Sequence, residues 1–179
     1  TDTVEGTKGG KVLHTIFWRK EDLLLAFLLD SKEMSGTVGT FDRLEEKLGI
    51  EKFRELFPLI LTDNGMEFAD PELFEYSKTG ERRTKIYYCE PRHSEQKGGI
   101  EKAHEYIRYV LPKGSTFDQL TQEKVQLMIN HINSTARPGL GGMRPIDLAL
   151  QRFGKDAVEK LGLRVISPDE VNLTPKLMK

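Results

Sequence analysis

The pattern of apolar and polar positions predicts three short strands at the start of the chain. Residues 11–18 alternate and are rich in β-forming side chains, which predicts a strand. Residues 22–29 are a continuous apolar run, which fits either a buried strand or a helical segment, because periodicity cannot separate the two. Residues 19–22 are typical of a hairpin turn. Together with residues 1–6, they predict three neighbouring antiparallel strands.

The rest of the chain alternates helical spacing with short apolar runs. Residues 38–49 place Phe41, Leu44 and Leu48 on one face of a predicted helix that Gly49 would end. Two short strands are predicted, one over the run that starts at Phe57 and ends at Asp63, the other over residues 84–89. Further helices are predicted at about residues 99–111, 121–133 and 145–153. This succession predicts an α/β layered fold.

Length and composition fit one domain, or one domain with a tail. With 179 residues, 37% of them hydrophobic, the chain is long enough to bury a core. No apolar run approaches the length of a membrane span, no signal peptide is visible, and the lone Cys89 fits a reducing cytoplasm. We expect a core over residues 1–154 and an appendage over 155–179. Because the chain starts without Met, one residue before Asp2, we expect it to be a piece of a longer polypeptide.

Charge is distributed unevenly although the net charge is only −1. Residues 1–81 carry 10 Lys and Arg against 17 Asp and Glu, a net of −7. Residues 82–179 carry 17 against 11, a net of +6. The acidic half could supply metal ligands, and the basic half could bind phosphate groups. The simpler interpretation is that most of these charged side chains lie on solvent-exposed faces without a specific partner.

Residues 61–68, LTDNGMEF, carry the clearest chemical signal. The apolar run before them predicts a short buried strand that delivers Asp63 into an Asn-Gly turn. A carboxylate at the end of a central strand is well placed to hold a metal ion in a cleft. Alternatively, Asp63 and Asn64 only cap the turn, since both residue types suit turns.

Two further carboxylates complete a pattern with Asp63. Asp2 precedes it by 60 intervening residues, and Glu101 follows it after 37 more. Nearby segments are DTVEG at 2–6, YCEP at 88–91, QKGGIE at 96–101, LPKG at 111–114 and NSTARP at 133–138. In these motifs and their order the chain resembles the DDE transposases and integrases. It looks most like bacterial insertion-sequence transposases of the group numbered thirty, over roughly residues 1–150.

This resemblance implies a ribonuclease-H-like three-layer core, a mixed five-stranded sheet flanked by helices. It implies a metal-dependent polynucleotidyl transferase that cleaves DNA strands and transfers them. Asp2, Asp63 and Glu101 would be the catalytic residues and would hold two Mg²⁺ or Mn²⁺ ions, whose preference for oxygen ligands they meet. The implied partners are transposon ends and target DNA, with at least a dimer of the full-length protein during synapsis and no membrane. The protein would be cytoplasmic and bacterial, and nucleoid-associated when acting. We expect the helical DNA-binding region that precedes the core in this family to lie outside the sequence.

Residues near the three carboxylates are assigned supporting roles. Those predicted to contact DNA phosphates are Lys97, Lys102, Arg108, Lys113 and Arg137. Those predicted to support the site are Asn64, Gly65, Glu67 and Glu105. Simpler interpretations are that Asp2 is a frayed terminal residue and that Glu101 complements the helix dipole. Glu105, one turn on, is the next choice of ligand, and His93 and His104 could assist proton movement.

Two other functions remain compatible with the sequence. A ribonuclease-H-like nuclease would use the same metals to hydrolyse strands without joining them, so only a joined product separates it from a transposase. A non-catalytic DNA-binding or assembly module derived from a transposase would bind no metal.

Overall fold

Seven α-helices and five strands make up the computed structural model, which describes residues 1–90 and 98–179. The strands are β1 (Asp2–Glu5), β2 (Val12–Trp18), β3 (Leu23–Leu29), β4 (Ile60–Thr62) and β5 (Ile86–Tyr88). The helices are α1 (Met34–Leu48), α2 (Ile50–Leu56), α3 (Pro71–Glu75), α4 (Gly98–Val110), α5 (Gln122–Asn133), α6 (Pro145–Phe153) and α7 (Lys155–Lys160). Single 3₁₀ turns cover Met66–Phe68, Pro138–Leu140 and Pro175–Met178.

The predicted α/β class is confirmed, but the predicted single five-stranded sheet is wrong. The first three strands form an antiparallel sheet in the order β1-β2-β3, and β4 pairs with β5 in a separate parallel sheet. The two sheets approach each other at Thr1, whose amino nitrogen donates a hydrogen bond of 2.6 Å to the carbonyl oxygen of Leu61. Among the described residues, this contact does not extend into a ladder between β1 and β4.

The apolar run at residues 23–29 is a strand, and side chains of α5 cover its outer edge. The Asn133 side chain accepts from the Leu24 amide at 3.0 Å and donates to the Leu24 carbonyl at 2.7 Å. The Gln122 amide group makes the equivalent pair with Leu28 N and Ala26 O, at 2.8 and 3.2 Å. These amides replace the missing neighbouring strand and block an edge that could otherwise recruit another chain.

Helix α1 begins at Met34, four residues earlier than the spacing predicts, and it carries the centre of an aromatic cluster. Its Phe41 lies with ring centroids 5.8–6.4 Å from Phe53, Phe57 and Phe74. Phe53 belongs to α2, which the sequence did not predict because the helix is only seven residues long. The fourth strand is also shorter than predicted and begins at Ile60, since α2 runs to Leu56.

Residues 155–179 lie against the rest of the protein. Ala157, Val158, Leu161 and Leu163 are buried and belong to the same hydrophobic core as α1 and β2. Near the end of the chain, the Lys124 ammonium donates to the Met178 carbonyl at 2.8 Å. Across residues 1–90 and 98–179, none of the helices combines the length and apolar character that crossing a bilayer requires.

His14 on β2 is fully buried and gives the fold a predicted acid sensitivity. Burial lowers the pKa of His14 to about 3, and the positive charges of the Thr1 amino group and Arg43 act in the same direction. An unfolded histidine titrates near 6.5, so between these values the unfolded state binds a proton that the folded state does not. Stability therefore falls as the pH falls through this window.

We expect the loss attributable to His14 to reach about 2 kcal/mol at pH 5 relative to pH 7. Urea unfolding at the two pH values measures it. His14→Gln keeps a hydrogen-bonding group for the Thr1 hydroxyl, which lies 2.8 Å from Nε2 of the histidine, and should show a correspondingly shallower dependence. Equal dependence in both proteins would contradict the assignment.

Candidate functional site

Asp2 and Asp63 lie on either side of the contact between the two sheets. Asp2 follows Thr1 directly on β1, and Asp63 follows Leu61 by two residues at the end of β4. Both are half-buried. The Asp2 carboxylate accepts from the Thr3 amide at 2.8 Å, and the Asp63 carboxylate accepts from the Gly65 amide at 3.1 Å. The strand followed by a turn, as predicted, therefore holds Asp63 beside the first strand.

Helix α4 passes the same end of the sheet on the Asp2 side. Asp2 pairs with Thr15 across β1 and β2, so their side chains share a face. The Thr15 hydroxyl lies 3.0 Å from the Asp2 carbonyl oxygen and 2.9 Å from Nε2 of His104 on α4. Glu101 is exposed one turn before His104. Helix α4 thus reaches the Asp2 side of the sheet through His104, and Glu101 lies one turn earlier on the same helix.

These carboxylates are not assembled into a metal centre in the part of the chain that the structure describes. No group of three His, Cys, Asp or Glu side chains among residues 1–90 and 98–179 is placed to hold a metal ion together. Their oxygen donors nevertheless have the chemistry that Mg²⁺ and Mn²⁺ prefer. Asp2, Asp63 and Glu101 remain predicted metal ligands.

Glu67 supports the Asp63 turn from inside the protein. It is 3% exposed, and its carboxylate accepts from the Thr3 hydroxyl at 2.8 Å. Lys32 lies 3.3 Å from Glu67 and 3.2 Å from Glu5. Burial lowers the pKa of Lys32, but hydrogen bonds to Glu5 and Glu67 and their charges outweigh it and raise the pKa overall. This cluster connects β1 to the segment that follows Asp63.

Gly65 is needed where the turn passes Glu67. A Cβ atom at this position would lie 2.5 Å from Oε2 of Glu67 and 3.0 Å from Oδ1 of Asp63. The space beside the two carboxylates is therefore available only to glycine without a shift of these side chains. Asn64, by contrast, is exposed, as is Glu105 on α4.

Glu67→Ala should lower the free energy of unfolding by about 1–3 kcal/mol, because the half-buried Thr3 hydroxyl loses its charged acceptor. Urea unfolding measures the change. Met66→Ala, at the preceding residue, is the matched control. Met66 is 82% exposed, so its truncation should change the free energy of unfolding by no more than about 0.5 kcal/mol. Equal effects of the two substitutions would show that the Glu67 cluster does not stabilise the turn.

The basic residues predicted to contact DNA have different surroundings. Lys102 and Lys113 are exposed. Arg108 donates to the Glu5 carbonyl at 3.0 Å, and Lys97 lies outside the described residues, as does His93. Arg137 is 4% exposed.

The guanidinium of Arg137 is engaged within the protein. It donates to Asp22 at 3.0 Å and to the Ile132 carbonyl at 3.0 Å, and it stacks 3.7 Å from the ring centre of Tyr106. These contacts tie α4 and α5 to the β2–β3 turn, where Asp22 has a φ of 52°. They give Arg137 a structural role, and its contact with DNA stays a prediction.

Several residues of the site could not be recognised from the sequence. Thr15 and Lys32 belong to no motif, and Thr3 lies in the DTVEG segment without a predicted role, because each acquires its role only through pairing between distant elements. His104 carries a partial signal, since it lies one turn after Glu101 on a predicted helix. The alternation of side chains along a strand could have placed Thr15 on one face, but not opposite Asp2.

Comparison with known proteins confirms the resemblance to insertion-sequence transposases. The chain is 32% identical over 109 residues to the transposase for insertion sequence element IS4351 of Bacteroides fragilis, which is 61% of this chain and 32% of that protein. It is 29% identical over 147 residues to the transposase InsI for insertion sequence element IS30C of Escherichia coli (strain K12), which is 82% of this chain and 36% of that protein. The chain thus spans about a third of the length of the curated relatives it matches. No protein-family model matches it.

Proposed function

We propose that this chain is the catalytic core of a DNA transposase that cleaves DNA strands and joins them to a target. The observation that carries the proposal is the similarity to two insertion-sequence transposases together with the placement of Asp2 and Asp63 beside the Thr1–Leu61 contact. Glu101, on the helix that packs against the Asp2 face, is the third acidic residue of the proposed site.

The proposed architecture is ribonuclease-H-like. If the Thr1–Leu61 contact is taken as the junction of the two sheets, the strands follow the order β3-β2-β1-β4-β5. Helix α4 packs against β2, and α1 packs against the 3₁₀ turn that contains Glu67. This order supports the proposal because it puts the strands that carry Asp2 and Asp63 next to each other at the centre.

Different residues of the chain would bind the metal ions, position the Asp63 carboxylate and contact the DNA backbone. Asp2, Asp63 and Glu101 would hold two Mg²⁺ or Mn²⁺ ions, and such ions supply an activated attacking oxygen and a stabilised leaving oxygen in phosphoryl transfer. Gly65 and Glu67 keep the Asp63 carboxylate in its turn. The exposed Lys102 and Lys113 are available to the DNA backbone, where cations strengthen binding.

Titration calorimetry with Mn²⁺ tests the metal site directly. We expect binding to the intact chain and its loss in Asp63→Asn, whose side-chain oxygen can still accept from the Gly65 amide. Asp156→Asn on α7 removes one carboxylate that is 80% exposed and paired with Lys160, and should leave Mn²⁺ binding unchanged. No binding to the intact chain, even with DNA present, would favour the non-catalytic DNA-binding module.

A further inference from the structure

Residues 164–178, called the strap from here on, lie along α5 and bury little of their surface. Leu163, directly before them, is 2% exposed, whereas every residue from Arg164 to Met178 is exposed or half-buried. Apart from the 3₁₀ turn at Pro175–Met178, the backbone of the strap is irregular. A segment with so few buried side chains can open locally at a low cost in free energy while the core stays folded.

Side chains of α5 hold the strap by accepting its backbone N–H groups. Three such hydrogen bonds run from Arg164 to Asn130 at 3.1 Å, from Ile166 to Ser134 at 2.9 Å and from Asn172 to His131 at 3.1 Å. The three acceptor side chains are between 2% and 6% exposed. Since a backbone N–H group needs an acceptor, attachment of the strap depends on the state of these side chains.

His131 is the acceptor of this set whose protonation state changes near neutral pH. It accepts the Asn172 N–H through Nδ1, so the ring is neutral and carries its own hydrogen on Nε2. A second proton would turn Nδ1 into a donor that faces another donor. The Asn130 amide and the Ser134 hydroxyl, by contrast, remain acceptors at any pH near neutrality.

Burial opposes this protonation while the strap is attached. It lowers the pKa of His131 below the usual value, and the negative charge of Glu170, in the strap itself, offsets the effect only in part. Among the described residues, Glu170 is the charged group that acts on the ring. A ring that the strap no longer covers takes up a proton near its ordinary pKa of about 6.5. The attached form is therefore fully favoured above this pH and loses stability as the pH falls below it.

The strap also reaches the helix that carries Glu101. Its 3₁₀ turn packs against both α4 and α5, and Leu177 and Met178 contact the hydrophobic core. The Lys124 ammonium donates to the Met178 carbonyl at 2.8 Å. Opening of the strap therefore uncovers part of α4.

We infer that acid releases the strap, that His131 is the residue that takes up the proton, and that the core stays folded during release. At neutral pH the strap covers the surface shared by α4 and α5, and at acidic pH this surface becomes accessible. The inference concerns the conformation of residues 164–178, so it stands or fails independently of the proposed catalytic function.

Amide exchange at pH 7 and pH 5.5, corrected for the intrinsic effect of pH on the exchange rate, tests the inference. In the wild-type chain, protection of residues 164–172 should fall by about fivefold or more between the two pH values, because an uncovered histidine gains its proton in this range. His131→Asn offers an Oδ1 atom that can accept in place of Nδ1 and does not titrate, so its protection should change by less than about twofold. His131→Leu should leave the strap weakly protected at both pH values, since the Asn172 N–H then has no acceptor.

Trp18 reports on the core in the same samples, because its indole nitrogen donates to the Leu56 carbonyl at 2.9 Å. Its fluorescence should be the same at both pH values in all three proteins. Unchanged protection in the wild-type chain, or an equal fall in His131→Asn, would overturn the inference. A change in Trp18 fluorescence that accompanies the loss of protection would also overturn it, because acid would then unfold the core and not release the strap alone.

Discussion

Asparagine in place of Asp63 should reduce strand joining by a transposase containing this chain by on the order of 10³-fold or more. A carboxylate that holds a catalytic metal contributes several kcal/mol to transition-state stabilisation, and each 1.36 kcal/mol is a factor of ten in rate. Asparagine keeps an oxygen for the Gly65 amide, which Asp63 binds at 3.1 Å, so the turn should survive. The expected defect is therefore in chemistry and not in folding.

The assay uses the full-length protein with the terminal sequences that flank its gene, and it scores both cleaved and joined products. Asp2→Asn should match Asp63→Asn, while Asp156→Asn should retain wild-type rates. Thermal unfolding of each variant shows whether the fold is kept. Undiminished joining by a folded Asp63→Asn variant would remove Asp63 from the site. Cleavage by the wild-type protein without any joined product would favour the nuclease alternative.

The same assay separates the two glutamates of α4. Both Glu101 and Glu105 are exposed, four residues apart on the helix. Glu101 lies closer to the helix start and one turn before His104, which contacts Thr15 opposite Asp2. Glu101→Gln should therefore lose joining and Glu105→Gln should keep it. The reverse result would make Glu105 the third ligand.

The elements that the sequence predicted well are those with strong local signals. Residues 145–153 form the predicted helix, with Pro145 at its start and Gly154 after its end. Thr121 caps α5 by accepting from the Lys124 amide at 3.3 Å. Strand β2 lies where alternation predicts it, and β1 lies within the predicted residues 1–6. In each case the chain's own periodicity or end signals are sufficient.

What the sequence could not predict depends on contacts between distant residues. Nothing local distinguishes Asn133 as the residue that covers the edge of β3, 109 positions away. The division into two sheets likewise depends on how far β1 and β4 extend beside each other. Asp2 and Asp63 were found as motif residues, but their approach depends on the Thr1–Leu61 contact, which no pattern encodes.

Arg83 should be the costliest single side chain to remove from the fold. Its side chain is fully buried, with Nη1 2.6 Å from Asp42 and 2.9 Å from Glu45 on α1. Its other nitrogens donate to the Phe74 and Leu73 carbonyls, both at 2.8 Å. One guanidinium thus satisfies two carboxylates and two backbone acceptors near the end of α3.

We expect Arg83→Met to lower the free energy of unfolding by about 3–5 kcal/mol, because two half-buried carboxylates lose the guanidinium and two backbone carbonyls lose their donor. Urea unfolding at neutral pH measures the loss. Arg82→Met is the adjacent control: the Arg82 side chain is 47% exposed and pairs with Glu75 at 2.8 Å, so its loss should cost no more than about 1 kcal/mol.

A triple variant distinguishes lost charge pairing from lost packing at Arg83. When Asp42→Leu and Glu45→Leu accompany Arg83→Met, the two carboxylates that pair with the guanidinium are removed together with it. Replacing the members of an ion cluster together by apolar side chains is often neutral or stabilising, and Lys78, which also pairs with Asp42, is 82% exposed and stays solvated, so most of the stability lost in Arg83→Met should return. If the triple variant is as unstable as Arg83→Met alone, then the two backbone carbonyls or the packing against Phe53, whose ring centre lies 5.7 Å from the guanidinium, account for the loss.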